Sequence, residues 1–314
     1  MQPFANHHGY TRTFEKNKLT LGLFFPLEAY DGPIPKMDME DQMKLARAAE
    51  DANFASLFVR DVPLNDPSFG DVGQIYDPWV FLGYVAAHTK KIALGTGSIV
   101  TSFRHPLDVA KAASSLDSLS GERLLLGVAT GDRPIEFDAY GSDRQNRGAL
   151  FRESYQVMKE MWATSFPNIN TERVDLSGAD LLPKPRHANI PTLVTGHSGQ
   201  SVEWIAKHGD GWLMYPGSPE VQGERIRQWR EQAPTFKPFA QSLYLDLVED
   251  PDEPPTQIHL GYRCGHTFLL EYLHALQAVG VNHVLFNVKF ASRPIDEVIC
   301  ELREKVIPHF PALD

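Results

Sequence analysis

The sequence predicts an α/β fold, a (β/α)8 barrel of the TIM type, and three observations support this prediction. Across the 314 residues, short apolar runs of strand length alternate eight times with longer amphipathic runs of helix length. The strand-length runs are apolar almost throughout, as parallel strands covered on both faces should be. The first of them is followed by "PLEAYDGPIP" rather than by a glycine-rich GxGxxG turn. That absence argues against a doubly wound nucleotide-binding fold.

Local end signals mark the helices in the first half of the chain. Asp38 and Asp77 are N-cap candidates, Pro106 occupies a first helical position, and Gly121 follows the helix that Pro106 opens. The predicted strands are 19–25, 55–59, 91–100 and 123–129, and the predicted helices are 38–52, 78–89, 106–120 and 148–163.

The second half continues the alternation after an irregular stretch at 164–190, which we predict to be a hairpin inserted after the fourth helix. The acidic, proline-rich segment after strand seven is either a solvated loop or, over 249–265, a lid loop above the barrel mouth. We assign residues 1–18 to an N-terminal extension and 19–314 to a single barrel domain. The remaining predicted strands are 191–196, 211–215, 241–249 and 282–288, and the remaining helices are 198–209, 219–232, 267–280 and 294–307.

The composition favours a soluble, cytoplasmic protein without nucleic-acid or membrane partners. The formal net charge is −10 and no long basic run is present, which argues against a nucleic-acid surface. No window approaches the roughly 20 apolar residues of a membrane span, and the first residues lack the apolar centre of a signal peptide. The two cysteines, Cys264 and Cys300, are too few and too distant for a disulfide framework or a zinc site. The histidines show no paired ligand spacing, so we expect no metal.

Polar residues and glycines collect directly after the predicted strands, where barrels of this kind carry their active sites. Arg60 and Asp61 follow strand two, Ser98 lies in the small-residue end of strand three, and Thr130 and Gly131 follow strand four. We therefore expect these residues to surround one site.

The stretch "GHSGQS" (196–201) lies between strand five and a predicted helix. Gly196 and Gly199 allow a ligand to approach the backbone closely, and Ser198 and Ser201 supply hydroxyl groups. Free N–H groups and the positive end of the helix dipole would follow them. This combination suits a phosphate group, but a plain serine N-cap beside a flexible turn would have the same sequence.

Two further patterns leave alternatives open. Arg104, His105 and Pro106 follow strand three and turn the chain into a helix, without other evident chemistry. Asp132 and Glu136 are a carboxylate pair that a hydrolase built on the same barrel would use.

Three segments in order resemble the bacterial luciferase-like monooxygenase family of flavin-dependent (β/α)8 barrels. They are "LGTGSIVTSFRHPLDVAKAASSLDSLSGERLLLGVATGD", "YGSDRQNRGALFRESYQVMKEMW" and "PTLVTGHSGQSVEWIAKHGDGW". The resemblance extends from about residue 19 to about residue 307, and the first segment is the most specific.

The resemblance implies a cofactor site. Gly97 and Ser98 fall where many members carry a non-proline cis peptide beneath the flavin ring, and Thr130 and Gly131 match the strand-four end that flanks the ring. Arg147 matches an arginine that reaches the flavin phosphate in other members. The phosphate loop is matched by Gly196, Ser198, Gly199, Gln200 and Ser201.

The resemblance also implies an activity, with departures that change the substrate. The expected function is a two-component monooxygenase that uses reduced FMN and O2 on a small organic substrate, with a separate NAD(P)H:flavin reductase as partner and a homodimeric assembly. Alternatives are an F420-dependent oxidoreductase of the same family and a non-catalytic FMN-binding flavoprotein. Luciferase-type members often carry a histidine after strand two, where this chain has Arg60 and Asp61. The luciferase aldehyde is therefore not the expected substrate, and the candidate catalytic residues are Asp61, Arg60 and His197.

Overall fold

The computed structural model of the protein describes residues 4–69, 73–233 and 235–313. At its centre the strands pair in parallel, each with the next along the chain, and the last pairs with the first, so the sheet closes. The predicted fold class, a closed parallel (β/α)8 barrel, is confirmed. The barrel strands are β1 (Thr20–Phe24), β2 (Ser56–Val59), β3 (Ala93–Thr96), β4 (Leu124–Ala129), β5 (Thr192–Thr195), β6 (Gly211–Met214), β7 (Phe239–Leu247) and β8 (His283–Asn287).

The end signals read from the sequence act as expected at several helices. Asp38 accepts hydrogen bonds from two backbone N–H groups of the first turn that follows it, and Asp77 does the same. Gly121 ends its helix in the left-handed conformation, with φ 73°. The helices are α1 (His8–Thr13), α2 (Met39–Asp51), α3 (Pro78–His88), α4 (Pro106–Ser120), α5 (Pro134–Ala139), α6 (Arg147–Ala163), α7 (Val202–His208), α8 (Pro219–Arg230), α9 (His266–Ala278) and α10 (Ile295–Glu301).

Two helix predictions need correction. The helix predicted to start at Ser198 begins only at Val202, because Ser198 and Gly199 adopt positive φ angles of 48° and 68° that no right-handed helix can contain. The stretch between β4 and α6, for which the sequence predicted no helix, contains α5. Pro134 occupies the first helical position of α5, where its missing N–H costs nothing.

Apolar side chains from the barrel strands and from the segment before β1 fill the base of the barrel. Inward-facing strand residues such as Phe58, Leu125 and Leu285 form one apolar cluster, and Tyr10 and Phe14 join it from the segment before β1. The polar sequence of the predicted N-terminal extension therefore includes a short apolar plug at the N-terminal ends of the strands.

Two short antiparallel hairpins lie outside the eight barrel strands, one after α6 and one after β7. Ile169–Asn170 pairs antiparallel with Asp175–Leu176 in the segment after α6. After β7, Thr256–Ile258 pairs antiparallel with Gly261–Cys264, and the latter strand also lies parallel to the end of β7. The segment considered as a lid loop thus contains a hairpin hydrogen-bonded to the barrel.

Candidate active site at the barrel mouth

A cavity of about 450 Å³ lies at the carboxyl ends of the barrel strands. Most of the predicted site residues meet there, although they come from β2, β3, β4 and β5. The predicted residues that line it are Arg60, Asp61, Gly97, Ser98, Thr130, Gly131, Gly196, His197 and Ser198. A larger groove of about 940 Å³ lies elsewhere on the surface, between α2 and the segment after β8, and the described residues around it include none of these.

The floor of the cavity is formed in part by the small residues Gly97 and Ser98. The Gly97–Ser98 peptide bond is cis, the geometry that the family resemblance implied. A Cβ atom on Gly97 would lie 2.6 Å from the ring of Phe24, so the floor leaves no room for a side chain there. The Ser98 hydroxyl group is hydrogen-bonded to the hydroxyl group of Thr195, which ties the floor to the end of β5. A planar ring can lie directly on such a surface.

Asp61 is fixed beneath the cavity wall by Arg104. The Asp61 side chain is 1% exposed, and it accepts hydrogen bonds from Arg104 and from the backbone N–H of Val100 at 3.0 Å. Arg104 also donates to Asp77, the N-cap of α3. Burial opposes the charge of Arg104, but its hydrogen bonds to Asp61 and Asp77 raise the pKa of its guanidinium above the ordinary value. Arg104 therefore has a defined role, in joining the ends of β2 and β3 to α3.

Arg60 precedes Asp61 in the chain, and its guanidinium lies beside the backbone of Gly73. Its Nη2 atom lies 3.5 Å from the hydroxyl oxygen of Tyr30. A Cβ atom on Gly73 would lie 1.3 Å from the same nitrogen, and Gly73 has a φ of 65°. A side chain at this position would have to displace the Arg60 guanidinium, and the positive φ also favours glycine.

The loop after β5 winds through left-handed backbone conformations. Gly196, Ser198 and Gly199 have φ angles of 56°, 48° and 68°. The Ser198 hydroxyl donates to the Thr195 carbonyl at 2.7 Å, which stabilises the turn. His197 is exposed at the cavity rim, and its ring meets the Trp212 ring edge-on at 5.5 Å.

The same loop touches the start of α6. Gln200 donates from Nε2 to the Gly148 carbonyl at 2.8 Å, and a Cβ atom on Gly199 would lie 2.9 Å from the Gly148 Cα. Arg147, the first residue of α6, is thus adjacent to this loop, although neither Arg147 nor Gly199 lines the 450 Å³ cavity. Arg147 donates to the Arg144 carbonyl at 2.7 Å.

Ser201 acts as the N-cap of α7. Its side chain accepts a hydrogen bond from the Trp204 backbone N–H at 3.1 Å. The capping interpretation of this serine therefore holds in the structure.

Sequence reasoning considered Glu136 only as half of a hydrolase pair, and the structure gives it a distinct environment. Glu136 lies in the first turn of α5, lines the cavity and is 2% exposed. Burial, together with the charges of Asp61 and Asp132, raises the pKa of Glu136 to about 7, against the opposing charge of Arg133. An acidic residue between the apolar residues Ile135 and Phe137, shortly after a strand end, is a sequence signal that could have marked it.

The described residues contain no group of three or more histidine, cysteine, aspartate or glutamate side chains able to hold a metal ion. Within the same residues, no helix has both the length and the apolar character needed to cross a lipid bilayer.

The profile of the luciferase-like monooxygenase family matches residues 19–243 of the chain. The chain belongs to this family. Among curated relatives, the uncharacterized protein Rv0953c of Mycobacterium tuberculosis strain H37Rv is 30% identical over 233 residues, which are 69% of this chain and 82% of that protein. As a member of the luciferase-like monooxygenase family, the protein is an enzyme, and the resemblance read from the sequence is confirmed.

Solved structures show the same barrel. The monooxygenase RslO1 from Streptomyces bottropensis superposes with a TM-score of 0.77 at 19% identity, over 93% of this chain and 99% of that chain. An F420-dependent secondary alcohol dehydrogenase in complex with an F420-acetone adduct superposes with a TM-score of 0.74 at 17% identity, over 92% of this chain and 98% of that chain. Structures that share this fold thus include a monooxygenase and an F420-dependent dehydrogenase.

Proposed function

We propose that the protein is a flavin-dependent monooxygenase that uses reduced FMN and O2 to oxidise a small organic substrate. The observation that carries this proposal is the small-residue floor at Gly97–Ser98, which lies at the same barrel end as the junction between α6 and the loop 196–201. The floor suits an isoalloxazine ring, and the junction suits the phosphate of the same molecule.

The residues fit the phosphate end of FMN in three respects. Arg147 supplies a permanent positive charge, and the starts of α6 and α7 supply backbone N–H groups. Asn146, which precedes α6, forms no side-chain capping hydrogen bond, so the first N–H groups of that helix are not capped by it. Gly148 and Gly199 let the start of α6 and the loop 196–201 approach closely, because neither carries a side chain.

The cavity residues then have separate tasks. Thr130, Gly131 and Gly196 form the small-residue wall beside the ring, and Arg60 and His197 contact the substrate. Asp61 is a positioning residue, because its carboxylate is engaged by Arg104 and Val100. Bound reduced flavin supplies the electrons that activate O2. The tip of the hairpin after β7, at His259 and Leu260, covers the cavity and excludes water.

We further propose a separate NAD(P)H:flavin reductase, because the first strand–helix turn lacks the dinucleotide fingerprint. A homodimer is favoured by the outer face of α3, where Val80 is 74% exposed and Tyr84 is also exposed. Cytoplasmic localisation agrees with the two cysteines, which are both free thiols.

Two alternatives have specific support. An F420-dependent oxidoreductase is favoured by the likeness to the F420-dependent secondary alcohol dehydrogenase. A flavoprotein that binds FMN without turnover is favoured by the full engagement of Asp61, which leaves no free base at the end of β2.

An anaerobic titration followed by addition of oxygen separates these possibilities. The purified protein is titrated with reduced FMN, oxidised FMN and reduced F420, and the absorbance spectrum is followed after O2 is admitted. The proposal predicts tightest binding of reduced FMN and a reoxidation phase that free FMN lacks. Binding of F420 alone would contradict it, and FMN binding without such a phase would favour the non-catalytic flavoprotein.

A further inference from the structure

Glu136 has a buried carboxyl oxygen to which no group in the described part of the chain forms a hydrogen bond. It lines the barrel-mouth cavity and is 2% exposed, and its Oε1 atom has no hydrogen-bond partner among the described residues. The backbone N–H of Leu64 hydrogen-bonds to the same carboxyl group, which leaves Oε1 as the unused oxygen. A buried polar atom without a partner is costly, and in a ligand cavity it indicates a ligand atom that completes it.

Burial favours the protonated form of this carboxyl group, because it raises the cost of ionisation. The charge of Arg133 acts against this effect, and the negative charges of Asp61 and Asp132 act with it. In the protonated form Oε1 becomes an O–H donor, and the cavity is the space available to its acceptor. The other titratable or charged residues that line the same cavity are Arg60, His197, Tyr215, Tyr244 and His259.

The cavity that Glu136 lines also has an apolar part. Phe69, Val62, Leu213 and Met214 contribute apolar surface to it. The cavity volume of about 450 Å³ admits a small organic molecule beside the floor. An uncharged molecule with an acceptor oxygen matches both this apolar surface and the Glu136 donor.

We propose that Glu136 recognises the organic substrate as an uncharged carboxylic acid, by donating a hydrogen bond from Oε1 to a carbonyl or ether oxygen. The substrate class is thus a neutral, mainly apolar molecule that carries such an oxygen. This inference rests on the proposed function in one respect, because it takes the cavity to be the substrate site. It holds whether the cofactor is FMN or F420.

The protonation state is measured without any ligand. Full-length protein labelled with ¹³C at the glutamate carboxyl carbon is titrated by NMR, and the Glu136 resonance is assigned by its absence in Glu136→Gln. The proposal expects this carboxyl group to be mostly protonated at pH 6 and to titrate near neutral pH. A carboxyl group that is fully ionised at pH 6 would overturn it.

Binding is measured with two probes of matched shape, acetophenone and its hydrocarbon analogue isopropylbenzene. At pH 6 the ketone should bind about fivefold more tightly than the hydrocarbon, the contribution expected of one neutral hydrogen bond. The preference should disappear at pH 9 in the wild type, persist at both pH values in Glu136→Gln, and be absent at both in Glu136→Leu. Asp132→Asn, which changes the neighbouring carboxylate of the same cavity, should retain the preference at pH 6.

Three outcomes would overturn the proposal: no ketone preference in the wild type, a preference that does not depend on pH, or a preference that survives in Glu136→Leu. FMN affinity is measured on the same samples, so that the two proposals fail separately. A ketone preference without FMN binding would refute the proposed cofactor and leave the role of Glu136 intact. FMN binding without the ketone preference would refute the role of Glu136 and leave the proposed cofactor intact.

Discussion

Arg104 forms a bidentate ion pair with Asp61: Nε donates to Oδ2 and Nη2 donates to Oδ1, each at 2.8 Å. Asp61 is almost fully buried, and the same Nη2 atom reaches Asp77 at 3.0 Å. The pair therefore connects three segments around the cavity: the ends of β2 and β3 and the start of α3.

Removal of Arg104 should destabilise the protein strongly. In Arg104→Met the buried Asp61 carboxylate loses its charged partner, and we expect a loss of about 3 kcal/mol in the free energy of unfolding. Urea titration measures this loss. The matched control is Arg186→Met, which removes an exposed partner of Glu122 and should cost less than about 1 kcal/mol. The double variant Arg104→Met with Asp61→Asn should recover part of the stability that Arg104→Met loses. Equal losses of stability in Arg104→Met and Arg186→Met would refute this role of Arg104.

His283 should make stability fall on acidification. Its buried ring is hydrogen-bonded to the hydroxyl groups of Thr20 and Ser56, each at 2.7 Å, and burial lowers its pKa to about 3. The unfolded chain takes up a proton near pH 6.5, so this contribution is complete above pH 6.5 and is lost as the pH falls toward 3. Between pH 7 and 5 the wild type should lose about 2 kcal/mol more than His283→Gln.

The surface variant His8→Gln serves as the control for His283. The ring of His8 is exposed in the wild type. The unfolding free energy of His8→Gln should therefore follow that of the wild type over the same pH range. Parallel pH profiles for the wild type and His283→Gln would contradict the buried neutral imidazole.

Gly97→Ala should disturb the floor of the cavity. The added methyl group would lie 2.6 Å from the ring of Phe24, and overpacking of this kind costs about 1–3 kcal/mol. We also expect weaker FMN binding, because either Phe24 or the floor must shift. Gly83→Ala is the control, since open space surrounds a Cβ atom at that helical position. Unchanged stability and unchanged FMN affinity in Gly97→Ala would show that the floor is not tightly packed.

The dimer proposal concerns the exposed face of α3. Val80 and Tyr84 are four residues apart on this helix, so they share one face. Val80→Asp with Tyr84→Asp should convert a wild-type dimer into a monomer, as measured by size-exclusion chromatography with light scattering. Leu119→Asp, at an 83% exposed position of α4, should leave the dimer intact. A monomeric wild type would refute the proposal.

Sequence reasoning succeeded where the physical cause is local. The caps at Asp38, Asp77 and Gly121 depend on residues within one turn, and the alternation of strands and helices depends on hydrophobic periodicity. It failed at the start of α7, where the left-handed residue Gly199 packs against Gly148, about 50 residues earlier in the chain.

The site was predictable as a set of strand ends, but its internal contacts were not. The resemblance and the barrel topology indicated that Asp61 and Ser98 would be near one another. The partnership of Asp61 with Arg104 depends on a side-chain geometry that spacing does not encode. The environment of Glu136 depends on α5, which was not predicted, and on the charges of neighbouring loops.

The central claim is that FMN binds with its ring on the Gly97–Ser98 floor and its phosphate at the junction of α6 and the loop 196–201. The most direct measurement is the affinity of Arg147→Ala for reduced FMN and for reduced riboflavin, which lacks the phosphate. Arg144→Ala, three residues earlier at an exposed position, is the control. We predict that Arg147→Ala weakens FMN binding by about tenfold or more and changes riboflavin binding less than about twofold. Equal losses for the two flavins, or no loss for either, would contradict the claim.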